Sequence, residues 1–145
     1  MGITTAMCTS FKQELLGGLH DLDTDSLKLA LIKPSNSGTY GAATTNYSNV
    51  TDASDESSGT NYSAGGQALG SPSITVSGTT AMVDFADEVF ANVSTSADGC
   101  IIYNTANSNS AICVIDFGGT VTAVAGDLTI EFPAVGASTT IIRIA

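Results

Sequence analysis

The sequence predicts a mainly β fold, an antiparallel β-sandwich or small barrel of jelly-roll type, with one short amphipathic helix at its N-terminus. Three observations carry that prediction. Apolar runs of strand length fill the second half of the 145-residue chain, at 74–76, 81–85, 89–93, 100–103, 111–117, 120–124, 128–132 and 140–144. Turn-forming clusters stand between them: Ser77 with Gly78, Asp98 with Gly99, residues 104–109, Gly118 with Gly119, Gly126 with Asp127, and Gly136 with Ala137. Strands of about 4–8 residues joined by such short turns must be antiparallel neighbours, because a parallel pair needs a crossover of roughly a dozen residues. Helical periodicity, finally, is confined to the start of the chain.

That helix is expected over residues 4–16, where Met7, Phe11 and Leu15 recur at i, i+4 and i+8 with Cys8 and Leu16 beside them. Thr5 or Ser10 would cap its start, and Gly17 with Gly18 would end it. A helix of about three turns does not persist alone in water, so its apolar stripe needs a partner. The partner is either the β-domain of the same chain or a neighbouring subunit. Residues 1–20 thus read as an N-terminal arm and 21–145 as a single β-domain.

Asp21, Asp23 and Asp25 imitate the opening of a calcium loop, but Ser26 replaces the required Gly and Ile32 the bidentate acid. An EF-hand is excluded, and a solvated turn is the plainer reading. Leu27, Leu29 and Leu31 then alternate as in a strand with one face in the core, stopped by Pro34. From about 35 to 70 the chain becomes a long polar region rich in Ser, Thr, Asn and Gly. Its tyrosines, Tyr40, Tyr47 and Tyr62, either contact a partner or pin the region to its own domain. Further on, Leu128, Ile130 and Phe132 alternate with Thr129 and Glu131, one face buried and one wet, while residues 111–117 are apolar on both faces and belong centrally.

Composition narrows function. Fourteen acidic residues against four basic ones give a net charge of -10, which repels phosphate backbones, so no nucleic-acid partner is expected. No run approaches the ~20 apolar residues that span a bilayer, so no membrane partner is expected, and the start lacks the pattern of a secretory signal. Ala6 stands where a myristoylation motif needs Ser or Thr. Sequons begin at Asn46, Asn49, Asn61 and Asn92, as chance alone provides in a chain this rich in Ser and Thr. No catalytic residue, cofactor or metal site is expected. His20 is the only histidine, no nucleophile-elbow or phosphate-binding loop occurs, and the cysteines Cys8, Cys100 and Cys113 form no zinc-type cluster. The cysteines read as small hydrophobes, although a Cys100–Cys113 bridge across a hairpin is conceivable. Asp84, Asp87 and Glu88 gather at one strand end, where neighbouring carboxylates would raise one another's pKa.

Several stretches resemble a family of small virion structural proteins of tailed bacteriophages: residues 2–18 (GITTAMCTSFKQELLGG), 27–31 (LKLAL), 62–69 (YSAGGQAL), 83–87 (VDFAD), 101–104 (IIYN), 114–119 (VIDFGG), 128–133 (LTIEFP) and 141–144 (IIRI). The chain departs from that pattern at 49–59, with extra acids. The resemblance implies a non-enzymatic virion component assembled in the host cytoplasm. The expected role is a capsid decoration (cement) protein, a homo-oligomer such as a trimer on the major capsid protein lattice. A tail tube, tip or fibre-associated subunit is the alternative, and a glycan-binding module a third, disfavoured by the absence of Trp. Met7, Phe11, Leu15, Tyr40, Tyr47 and Tyr62 are the expected interface residues.

Overall fold

A computed structural model describes residues 2–145; Met1, the first residue of the expected arm, lies outside the described residues. The chain is mainly β, and its sheets are antiparallel apart from one two-residue parallel pair. In chain order the elements are β1 (Gly2–Ile3), β2 (Ala6–Met7), α1 (Thr9–Leu16), β3 (Leu27–Ile32), β4 (Thr39–Tyr40), α2 (Ser48–Thr51) and β5 (Gln67–Ala68). They continue with β6 (Ser73–Ser77), β7 (Thr80–Asp84), β8 (Glu88–Asn104), a 3-10 turn (Thr105–Asn107), β9 (Ser110–Ile130) and β10 (Ile142–Ile144).

The long hairpin β8–β9 is the backbone of the molecule. A five-stranded sheet forms around it in the order β2-β9-β8-β3-β5, and a three-stranded sheet runs β10-β7-β6. Side chains of both sheets and Phe11 of α1 share one core, which includes Leu29, Phe85, Phe90, Ile101, Ile112 and Ile142. This is a sandwich-like arrangement.

Several expected turns are bulges instead. Asp98 and Gly99, Gly118 and Gly119, and Gly126 and Asp127 all lie inside continuous strands. Ala97 pairs with Val121 and Gly99 with Asp116, so Asp98 alone stands opposite residues 117–120. Gly118, at φ 76, turns the extra residues outward, while Thr120 donates its hydroxyl to Asp98 at 2.6 Å. Residues that tolerate left-handed backbone serve a bulge as well as a turn. The turns at 104–109 and at Gly78 do form. Asn104 Oδ1 accepts the Ala106 amide at 2.9 Å, and Gly78, at φ 59, opens the two-residue loop between Ser77 and Thr80.

The N-terminal region also differs from expectation. Helix α1 begins at Thr9, without a side-chain cap from Ser10 or Thr5, because residues 6–7 pair with Val114 and Cys113 on β9. Tertiary pairing overrides the helical spacing of Met7. Phe11 is fully buried, so the arm is part of the body. Strand β3 is buried on both faces, not one: Ala30 and Ile32 are as fully buried as Leu29 and Leu31.

Candidate functional site

Residues 35–70 are held by two carboxylates. Asp55 is completely buried, and its oxygens accept from the Ser37 amide at 2.9 Å, the Gly38 amide at 2.8 Å and the Tyr40 hydroxyl at 2.6 Å. Lys33 Nζ approaches at 3.4 Å. Burial alone would raise this carboxyl's pKa, but the donors from Tyr40, Ser37, Gly38 and Lys33 outweigh it and hold it well below the usual carboxylate range. Glu56 accepts from the Tyr47 hydroxyl, from the Tyr62 hydroxyl at 2.9 Å and from the Gly65 amide at 2.6 Å. Tyr62 also receives the Leu31 amide of β3 at 2.9 Å. The rings of Tyr47 and Tyr103 stack at 4.4 Å, and those of Tyr62 and Phe90 at 5.6 Å. Burial first, and these acids second, raise the pKa of Tyr40 and Tyr47; for Tyr62 burial is again the largest cause, with Glu56 adding to it.

These contacts place the expected interface residues. Phe11 and Tyr40 are closed inside the chain's own core and offer no surface to a partner, which corrects their assignment. Tyr47 and Tyr62 are half-buried with their hydroxyls engaged internally. The tyrosines therefore pin the polar region to its own domain. Met7 and Leu15 stay half-buried, Met7 beside β9 and Leu15 beside the three-stranded sheet. The extra acids of 49–59 include both of these carboxylates, whose roles the sequence did not reveal; their donors lie up to 18 residues away on either side, at no distinctive spacing.

His20 is buried against Phe11 and joins the helix to the β8 end. Asn104 is oriented by Ala106 and Asp25, so its amide nitrogen donates to His20 Nδ1 at 3.0 Å. The other ring nitrogen then donates to Glu14 at 2.6 Å. Both nitrogens are thus spent on structure, with no hydroxyl or thiol on either. Asp21, Asp23 and Asp25 form a turn in which the carboxylates of Asp21 and Asp25 accept backbone amides. The Asp25 carboxyl is held low by the Asp21 amide first and the Asn104 side chain second. Glu88 is raised by burial, not by Asp84 or Asp87; Asp87 instead accepts the Phe132 amide at 2.8 Å.

Cys8, Cys100 and Cys113 are buried free thiols. Cys113 pairs with Ile102 and Cys100 with Ile115, which sets the two cysteines on a diagonal. Diagonal neighbours lie ~7–8 Å apart, beyond disulfide reach. Among the described residues no group of three or more His, Cys, Asp or Glu is placed to hold a metal ion, and no helix is long and apolar enough to cross a membrane.

The outer surface carries the remaining features. A groove of about 490 Å³ runs along β9 between β2 and the C-terminal segment, lined by Met7, Ile115, Phe117, Val121, Phe132 and Ile141 among others. A second, of about 430 Å³, separates the end of α1 from the three-stranded sheet. Ile74, Val76, Val121, Val124 and Ile144 are exposed on the strands nearby. Fold and surface together define a mainly β, largely antiparallel body in which His20, Asp55 and the three cysteines are buried and the strand margins at 74–76 and 121–124 expose apolar side chains. No protein-family model, curated protein or solved structure matches the chain.

Proposed function

We propose that this chain is a non-enzymatic virion structural protein of a tailed bacteriophage, and within the particle a capsid decoration protein that binds the major capsid lattice as an oligomer. The observation that supports a contact role is the division between inside and outside. His20, Asp55 and Glu56 are consumed in internal hydrogen bonds and the three thiols are buried, whereas exposed valines and isoleucines lie along strand margins. The resemblance of residues 2–18 to phage virion proteins supplies the setting. An acidic exterior keeps many copies soluble before assembly. Repeated weak attachment then adds up to firm clamping of a shell.

The test is the protein's copy number in purified particles, by quantitative mass spectrometry. Copies on the order of hundreds per particle are expected for a lattice-bound protein with many equivalent sites. A few to some tens would shift the role to the tail, and absence from particles would overturn the reading.

A further inference from the structure

The geometry points to a head-to-tail interface between copies of this chain, in which β6 of one copy lies against the outer margin of β9 of the next. Two unpaired strand margins motivate it. β6 is the edge of its sheet, and all of residues 71–79 are exposed, with Ile74 at 52 % and Val76 at 70 %. On the other sheet, β2 covers only Cys113 and Val114 of β9, so residues 117–126 have a strand on the β8 side alone. Val121 is 41 % exposed there and Val124 80 %. Free edges of this kind are normally blunted by lysine, and neither margin has one. The bulge at 117–120 leaves a regular run, residues 121–123, for a strand to meet, and the apolar groove beside it for side chains to enter.

Charge selects the occupant. Two bodies of net charge -10 repel unless the surfaces that meet are uncharged, and residues 70–83 and 117–126 carry no charged side chain at all. Asp116 and Asp127 bracket the β9 window, outside any ion pair among the described residues. Arg143 lies on β10, at the far edge of the three-stranded sheet from β6, and so stays clear of the contact. Because the two surfaces differ, the contact is heterologous and closes into a ring when the rotation allows. The inference goes beyond the virion reading and is decided in solution, whether or not the protein is found on particles.

Mass in solution, by light scattering or sedimentation across a concentration series, tests it. The wild type is expected to form a closed oligomer. Val76→Lys and Val124→Lys, both at exposed positions, should each weaken association at least tenfold while leaving the far-UV circular dichroism unchanged. Mixed, they should form a one-to-one dimer, since one keeps its β9 margin and the other its β6. A monomeric wild type, a mixture that fails to pair, or an effect of only one of the two lysines would overturn the assignment.

Discussion

Replacing Asp55 should be among the most damaging single substitutions in the chain. Asp55→Ala removes the acceptor of the Ser37 and Gly38 amides and of the Tyr40 hydroxyl, and leaves Lys33 without its counter-charge. Each orphaned donor costs about 1–3 kcal/mol, and three are orphaned, whereas the part-exposed Lys33 ammonium is taken up by water. A loss of ~3–5 kcal/mol is large against the roughly 5–15 kcal/mol by which domains are stable. Tyr40→Phe deletes one bond and leaves the amide donors in place, so its cost should be ~1–2 kcal/mol. Urea unfolding followed by far-UV circular dichroism or tyrosine fluorescence measures both, since the chain has no Trp. The sign of the pH effect follows from the depressed carboxyl pKa. Its contribution is fully present above the unfolded value of about 3.9 and is lost as pH falls through that value toward the folded one. The gap between wild type and Asp55→Asn should therefore narrow as pH drops below ~4. A loss under ~1 kcal/mol in Asp55→Ala, or a gap independent of pH, would refute the argument.

Further outcomes follow from the packing. Phe11→Ala should destabilise by ~3–5 kcal/mol in the same urea assay, and removal of residues 1–18 should leave an unfolded or aggregating chain, because a fully buried ring and the β2 pairing go with it. Thiol labelling of the native protein should be negligible over minutes and complete at all three cysteines in denaturant. The thiols are buried and unpaired, and burial first, with Glu14 adding, pushes the Cys8 thiol up to about 11. Gly66→Ala should cost well over ~2 kcal/mol, since its φ is 74 and an added Cβ would lie 1.8 Å from the Leu29 carbonyl oxygen. Gly78→Ala, at a turn open to solvent, should cost only ~1 kcal/mol by thermal unfolding.

The strand content and antiparallel pairing were legible because alternation and short turns act locally. Leu128, Ile130 and Phe132 are buried between exposed Thr129 and Glu131, as their spacing predicts. What was not legible depended on distant partners. Gly118 marks a positive φ in either a turn or a bulge, and only pairing with β8 decides which. Met7 fits a helical stripe, yet its backbone is taken up by Cys113. Tyr40 and Tyr47 look equally suited to a foreign surface or to their own chain until Asp55 and Glu56 are seen beneath them.

The β8–β9 hairpin also sets a timetable for synthesis. β3 can meet β5 once residues 67–68 are made, but cannot pair with β8 before residues 99–104, nor β2 with β9 before residues 113–114. On a ribosome one edge of the leucine-rich run 27–32 therefore waits, unpaired, for most of the chain to emerge. The five-stranded sheet can close only late, once the C-terminal half is made, although β1 can meet β4 and β3 can meet β5 much earlier.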